Sequence, residues 1–286
     1  MGTMGGKKPE DVSYASFMSS KAFEFLVGPE KKPFIIHSEL VASLSAVLQR
    51  LVKGELKEAQ KGSVVWEHVD EQTFIRFSQY AYVRTYDYPA FRPRPQPKAG
   101  LFKASLLAVL DTVVQEQVES SWRTVSRIWL LTEAGDVMFR LMPKHKFTSP
   151  NTQRDPLAKR AMKRAPPLAD GQNNDAELLL SHARLYVFAD CYEITPLMGL
   201  SLSTLYNVLM EFPEWSDIAD MLIQLLRYCY ENDTPAVLKD LVMRYAVCHV
   251  ENLWKRKEVT ELARTNGEFS SAIIEAMLAG LIWHDV

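Results

Sequence analysis

The residue types that carry out catalysis are present in this chain, but their spacing does not assemble a catalytic site. His37 and Ser38 are adjacent, whereas a serine nucleophile needs a histidine base and a third group that orients the base. His37 follows an apolar run, and a structural role explains it, with its ring nitrogens bonded to backbone or to a neighbouring polar group. Ser38 is predicted to cap the helix that follows. We therefore expect no catalytic residue in this pair.

Two carboxylate pairs, Asp190 with Glu193 and Asp217 with Asp220, could in principle act as an acid and a base. Such a pair needs a pocket that separates the two pKa values. Asp217 lies in the first turn of a predicted helix, where the helix dipole already accounts for a negative charge. We interpret both pairs as charged side chains on the surface of helices, without a catalytic role.

The three cysteines, Cys191, Cys229 and Cys248, form no Cys-x-x-Cys pair and have no histidine at the spacing of a zinc site. Cys191 and Cys229 fall within apolar helical patterns, where a free thiol behaves as a small hydrophobic group. We expect reduced structural thiols in a reducing compartment. The sequence has no phosphate-binding, dinucleotide-binding, metalloprotease or hydrolase motif. We therefore expect no metal, no cofactor and no enzymatic activity.

The length and the charge of the chain limit the classes of protein to which it can belong. The chain has 286 residues, of which 47% are hydrophobic, so it can bury a sizeable core. The formal net charge of −2 gives no overall field that would attract nucleic acid or an anionic membrane. Residues 1–8 lack the apolar core of a signal peptide, and no apolar run is long enough to span a bilayer. These features predict an intracellular protein, in the cytoplasm or the nucleus, with no membrane contact.

The N-terminal elements that would position any site are predicted from two periodicities. Alternation around Phe23, Phe25 and Val27, a turn at residues 28–32 and a returning apolar run predict a β-hairpin. After Ser38, one helix is predicted, followed by a stop at Gly54, a short strand and a second helix capped by Asp70. The apolar positions of these two helices are Leu40, Leu44, Val47, Leu48 and Leu51 in the first, and Phe74, Phe77 and Ala81 in the second.

The middle of the chain has a different composition. Residues 89–180 carry fourteen Lys and Arg against nine Asp and Glu, about +5, which leaves about −7 for the remainder. Residues 101–117 show apolar side chains at helical spacing, and we predict a helix there between flexible flanks. The basic pairs Lys159-Arg160 and Lys163-Arg164 are either a nuclear import signal or a solvated linker. Because no aromatic residues are interleaved with them, nucleic-acid binding is not expected.

Helical patterning returns at Glu177 and continues to the end. Thr195-Pro196, Ser216 and Thr234-Pro235 are start signals for three helices. The last of these is predicted to run past Val250 and to stop at residues 255–257. A final helix is predicted from Phe269 to Leu281. Trp215, Trp254 and Trp283 are expected in the core, whereas Trp122 and Trp129 could form an interface.

Two segments resemble the BTB/POZ domain. The first runs from Phe34-Ile35-Ile36-His37-Ser38-Glu39-Leu40 to Ser45-Ala46-Val47-Leu48, similar to that family's strand, histidine and first helix. Val69-Asp70 and Tyr80-Ala81-Tyr82 continue it. The second is Ala183-Arg184-Leu185-Tyr186-Val187-Phe188-Ala189-Asp190-Cys191-Tyr192, similar to the family's "LYxxADxY" helix. The sequence around these two segments is most similar to that of the fungal BTB proteins.

The resemblance implies an α+β fold, a small β-sheet flanked by α-helices, with a long insertion and a C-terminal all-helical extension. The corresponding boundaries are a flexible N-terminus (1–20), the two parts of the domain (21–88 and 177–211), a largely flexible basic insertion (89–176) and the helical extension (212–286). The implied function is a non-enzymatic protein–protein interaction scaffold that self-associates. The alternative is a substrate adaptor of a cullin-3 ubiquitin ligase, so the expected partners are the chain itself, other proteins or cullin-3.

The sequence departs from the family at two places. Repressor-type relatives carry an acidic residue before the first strand and a basic residue after the histidine, and here these positions are Ala22 and Ser38. The insertion also replaces the region that adaptors use for cullin contact. There Leu131, Thr132 and Glu133 match the hydrophobic-x-Glu pattern of adaptors, a short pattern that also arises by chance.

Overall fold

The computed structural model describes residues 14–89, 175–211 and 215–282. Within them the fold is mixed α and β: one three-stranded sheet accompanied by many helices. The predicted α+β class is therefore confirmed. The described residues divide into two compact units. We call residues 14–89, 175–207 and 233–238 the sheet unit, and residues 208–232 and 239–282 the helical unit.

The sheet has the strand order β2-β1-β3. Strands β1 (Ala22–Val27) and β2 (Lys32–His37) form the predicted antiparallel hairpin, and β3 (Ser63–Trp66) lies parallel to β1 on its other side. Gly28 opens the hairpin turn with φ +73°, a left-handed conformation that costs glycine little. Alternation along β1 sends Phe23, Phe25 and Val27 into the core, as their spacing predicts.

Five helices belong to the N-terminal part of the sheet unit. They are α1 (Tyr14–Met18), α2 (Ser38–Ala42), α3 (Ala46–Lys53), α4 (Lys57–Lys61) and α5 (Glu71–Val83). The Asp70 carboxylate accepts a hydrogen bond from the backbone N–H of Thr73 at 2.9 Å, so the predicted cap of α5 is confirmed. Phe74, Phe77 and Ala81 are buried along α5, also as predicted.

The helix predicted after Ser38 is broken into α2 and α3. The Ser43 hydroxyl donates to the Leu40 carbonyl at 2.7 Å, and the Ser45 hydroxyl accepts from the Leu48 N–H at 3.1 Å. Serine side chains that bond nearby backbone in this way compete with a continuous helix. The break does not interrupt the apolar spacing, because Leu40 in α2, Leu44 in the turn and Leu48 in α3 are all buried.

The structure differs from the prediction at three further places in this region. Ser38 is the first residue of α2 rather than its cap, since the N-cap is His37 and makes no side-chain cap bond. Helix α4 was not predicted, because its sequence of five residues buries no side chain. Residues 14–18, expected to be flexible, form α1, and Phe17 packs against the core.

The sheet unit also contains α6 (Asp175–Cys191) and residues 195–207 of α7 (Thr195–Glu211). Helix α6 packs on α5. It contributes Leu185, Phe188 and Ala189 to the same core that β1, β3 and α5 build. Both segments of the BTB/POZ resemblance thus supply side chains to one cluster of buried residues.

The helical unit is built from α8 (Trp215–Glu231), most of α9 (Ala236–Cys248), α10 (Val250–Trp254), α11 (Lys257–Thr265) and α12 (Gly267–Ile282). The single long helix predicted from Pro235 past Val250 is interrupted at His249. Helix α11 was missed, because only Val259 and Leu262 are buried along it. Its start, Lys257, lies where basic residues predicted a helix end.

Candidate functional site

The residues that could have formed a catalytic pair are used structurally. His37 Nδ1 lies 2.8 Å from the Tyr82 hydroxyl, and the two rings meet edge to face. The backbone N–H of Ser38 donates to the Lys21 carbonyl at 2.9 Å, closing the open end of the hairpin. In the part of the chain that the structure describes, no carboxylate bonds to His37. The His37 ring is therefore held by the Tyr82 hydroxyl and not by a carboxylate of the described residues.

The two predicted carboxylate pairs are not brought into a pocket. Asp190 and Glu193 are exposed, and the Glu193 N–H donates to the Asp190 carbonyl in the turn that ends α6. Asp220 forms an ion pair with Arg256 at the surface of the helical unit. The side chain of Asp217 lies outside the described residues. These contacts fit the interpretation of helix charges.

The cysteines differ from the prediction at one position. Cys229 and Cys248 are buried free thiols, but Cys191 is exposed at the last residue of α6. The helical pattern placed Cys191 correctly on a helix, yet the final turn of that helix faces solvent. No group of three or more His, Cys, Asp or Glu side chains that could hold a metal ion occurs among the described residues.

A buried polar cluster, which sequence reasoning missed, lies between the end of α5 and α6. The Tyr86 hydroxyl is 2.8 Å from Nδ1 of His182, which is fully buried on α6. The ring of Tyr88 meets His182 edge to face at a centroid distance of 4.6 Å. Arg76, buried on α5, donates from Nε to the Asp87 carbonyl at 3.2 Å.

The charge states of this polar cluster are set by its burial. Desolvation, and secondly the nearby Arg76 guanidinium, lower the pKa of His182 to about 3, so the ring is neutral. Desolvation raises the pKa of Tyr86, which keeps its phenol protonated. Nε2 of His182 has no hydrogen-bond partner among the described residues. The neutral His182 ring therefore acts here as a buried hydrogen-bond partner of Tyr86.

The position of this cluster explains its role. Tyr86 and Tyr88 lie at the end of the first described segment, and His182 lies near the start of the second. Their contacts hold together two parts of the sheet unit that are 96 residues apart in the chain. Pairing Tyr86 and Tyr88 with one histidine in an apolar helix required the tertiary structure.

The surface that stands out in the sheet unit is the outward face of the sheet. Register places Leu26, Pro33, Ile35 and Val65 on this face, with Glu24 the charged residue among them. Ile35 is 67% exposed and Val65 is 44% exposed. His37 shares the face with Ile35 on β2, and its partner Tyr82 is also exposed. We call these residues, Leu26, Pro33, Ile35, His37, Val65 and Tyr82, the outer sheet surface.

Several predicted features fall elsewhere. The basic pairs at 159–164, the triplet at 131–133, the helix at 101–117, and Trp122, Trp129 and Trp283 lie outside the described residues. Trp254, expected in the core, is about half exposed at the end of α10. Among the described helices, none is long and apolar enough to cross a membrane.

Comparison with known proteins identifies no relative of this chain. No protein-family model, no curated protein and no solved structure matches the chain.

Proposed function

We propose that this chain is a non-enzymatic protein–protein interaction scaffold of BTB/POZ type, which self-associates through the outer sheet surface. The observation that carries the proposal is the exposure of large apolar side chains on a hydrogen-bonded sheet, chiefly Ile35 and Val65. Contiguous apolar patches of this kind are characteristic of protein contact sites.

The physical argument for an interface rests on rigidity and composition. Side chains fixed on paired strands have less conformational freedom to lose on association than those on loops. On the central strand β1, Leu26 lies between Pro33 of β2 and Val65 of β3, so one half of the surface is apolar across all three strands. Glu24 lies between Ile35 and Ser63 and is the charged position of the face. Tyr82 and His37 add amphipathic rings at one end, which suits an interface with a polar margin.

The mode of assembly differs from the charged pocket of repressor-type relatives. Ala22 faces His37 across the hairpin, and Ser38 follows directly, so the two pocket positions lie near each other. Neither position carries a charge, and no ion pair can form between them. An interface built on apolar side chains is screened little by salt, so its affinity should change little between low and high ionic strength.

Light scattering coupled to gel filtration tests this proposal on the full chain. We expect a dimer or larger assembly in the wild type at both low and high salt. Ile35→Glu should shift the chain to monomer, because it replaces the most exposed apolar side chain of the surface with a charge, directly opposite Glu24. Leu56→Glu is the matched control, because Leu56 is also an exposed apolar residue of the sheet unit but lies outside the outer sheet surface. This substitution should leave the molecular mass of the assembly unchanged.

Two outcomes would contradict the proposal. A wild-type monomer at tens of micromolar would remove self-association. An assembly that dissociates steeply with salt would point to docking between the basic middle and the acidic remainder of the chain. Titration of the wild type with purified cullin-3 distinguishes the adaptor alternative, in which a monomer binds cullin-3 in a one-to-one complex.

A further inference from the structure

Strand β2 forms one edge of the sheet, and its outer side carries backbone groups that β1 does not use. Hydrogen bonds alternate along an antiparallel pair, so every second residue of β2 turns its N–H and C=O away from β1. Two bonds show which residues these are. The Ser38 N–H donates to the Lys21 carbonyl at 2.9 Å, and on β1 the Glu24 N–H donates to the Gly62 carbonyl, just before β3, at 3.0 Å.

The register of the hairpin then gives the outward groups of β2. Because Glu24 bonds towards β3, its partner Ile35 forms no backbone bond with β1, and Pro33 and His37 share this phase. Proline has no N–H. His37 is the N-cap of α2, so its C=O accepts the first bond of that helix. Among the described residues no strand lies beyond β2, which leaves the Pro33 C=O, both groups of Ile35 and the His37 N–H at an open edge.

This set of groups is complementary to itself. In an antiparallel pair of two β2 strands centred on Ile35, the two Ile35 residues exchange both of their hydrogen bonds, and each His37 N–H donates to the Pro33 C=O of the other copy. The N–H that proline lacks falls opposite the His37 C=O, which α2 already uses. Centring the pair on Phe34 or Ile36 instead leaves one group of Ile35 without a free partner. One register therefore satisfies every outward group.

The side chains agree with the same register. Ile35, 67% exposed, meets its counterpart as a direct cross-strand neighbour, which adds an apolar contact to the backbone bonds. Lys32 would lie opposite Ser38 of the other copy, and its charge is already paired with Glu71. No like charges are brought directly together along the strand. The opposite edge of the sheet, β3, has four residues, and short edge strands resist pairing.

We propose that two copies of this chain join edge to edge, by antiparallel pairing of β2 with β2 about a two-fold axis at Ile35, so that their two three-stranded sheets become one continuous sheet. This pairing rests on the proposed self-association and specifies its geometry. The outer sheet surfaces of the two copies then lie side by side, on the same face of the joined sheet.

Disulfide trapping of the full chain tests this geometry. Ile35→Cys is made in a Cys191→Ser background, because Cys191 is the exposed native thiol among the described cysteines. In the proposed pair the two Cα atoms at position 35 are about 5.5 Å apart, within the range of roughly 4.4–6.8 Å that a disulfide spans. We expect mild oxidation to convert most of the variant into a covalent dimer on a non-reducing gel, and reduction to reverse it.

Val65→Cys in the same background is the matched control. Val65 is also an exposed apolar residue of the outer sheet surface, but it lies on β3. Edge pairing through β2 separates the two copies of this residue by five strand spacings, about 24 Å. A disulfide cannot span that distance, so this variant should stay unlinked.

Amide exchange in the unaltered protein, read residue by residue by nuclear magnetic resonance, gives an independent measurement. The N–H groups of Ile35 and His37 should exchange at least about tenfold more slowly as the concentration is raised through the dimerisation range, because each gains a hydrogen bond. The N–H of Phe34, which bonds within the hairpin to its partner Phe25, is the internal control and should change much less.

The outcomes separate the pairing from the self-association itself. A wild-type chain that light scattering shows to be monomeric overturns both. A dimer in which Ile35→Cys does not link, or in which Val65→Cys links equally well, keeps the self-association but shows that the edges of β2 do not meet. Exchange at Ile35 and His37 that is as fast in the dimer as in the monomer overturns the pairing in the same way.

Discussion

The core of the sheet unit and the core of the helical unit differ in composition. In the sheet unit, aromatic rings from distant segments meet: Phe25 contacts Trp66 at 4.8 Å, and Phe77 contacts Phe188 at 4.9 Å between ring centroids. In the helical unit the core is mainly aliphatic, and the ring pairs among its described residues are Tyr230 with Phe269 and Tyr245 with His249. The aliphatic core residues include Ile218, Leu222, Leu225, Leu226, Leu241, Val242, Leu253 and Leu262.

The difference teaches where each unit is most sensitive. A ring in the sheet unit has specific tilted neighbours, so no other side chain can take its place without a void. Aliphatic side chains between helices can shift and partly refill a gap. The sheet unit also joins residues on either side of the long middle segment, which makes its contacts long-range and its cooperativity dependent on a few rings.

The largest effect is expected from Phe77→Ala. Phe77 is fully buried and its ring lies within contact of Phe74, Phe188 and Trp66. Removing it should lower the free energy of unfolding by about 3–5 kcal/mol, measured by denaturant titration. The loss of exchange protection should concentrate in the sheet unit. An equal loss of exchange protection in the helical unit would contradict the conclusion that Phe77 stabilises mainly the sheet unit.

Leu225→Ala is the matching change in the helical unit. Leu225 is fully buried on α8, and its truncation should cost about 2–4 kcal/mol, less than Phe77→Ala because neighbouring aliphatic groups relax into the space. The same titration and exchange measurements apply. A cost clearly larger than that of Phe77→Ala would show that the aliphatic core is the more sensitive of the two.

Acid should destabilise the sheet unit through His182. Its pKa is about 3 in the folded protein and about 6.5 when unfolded. The unfolded chain therefore binds this proton first, so the contribution of His182 is complete above pH 6.5 and is lost as the pH falls towards 3. The slope is roughly 1 to 2 kcal/mol per pH unit below 6.5.

The control for this prediction is His182→Gln, which cannot titrate. Its free energy of unfolding should depend less on pH between 6.5 and 4.5 than that of the wild type, after denaturant titrations at matched ionic strength. Parallel curves for the two proteins would mean that His182 is not the group responsible.

The smallest effects are expected at a helix terminus and at the surface. Asp70→Ala removes the cap of α5 and should cost about 0.5–2 kcal/mol. Lys57→Ala, at an exposed position in α4, should change the free energy of unfolding by no more than about 0.5 kcal/mol. Melting curves of the two variants that coincide would contradict the cap assignment.

Local signals in the sequence were sufficient for much of the sheet unit. Alternation at Phe23, Phe25 and Val27 specified a strand with one buried face, because side chains on a strand alternate with period two. Asp70 before an apolar helical stripe specified the start of α5, because a carboxylate there satisfies free backbone N–H groups. The mixed α and β class followed from these elements.

Breaks inside apolar stripes could not be predicted in the same way. The stripe through Leu40, Leu44 and Leu48 continues across the turn at Ser43 and Ser45. Periodicity reports which side of a segment is buried, and both pieces bury the same side. Whether the backbone stays continuous depends on side-chain hydrogen bonds that periodicity does not report.

The sequence by itself determined that this protein has apolar faces to bury and no catalytic constellation of known spacing. Tertiary structure alone decided which of those faces stay open. Trp254 was expected in the core from its place in the helical extension, yet it is about half exposed, whereas its neighbour Leu253 is buried. Burial depends on whether another element arrives at that face, and such long-range contacts are a property of the folded chain.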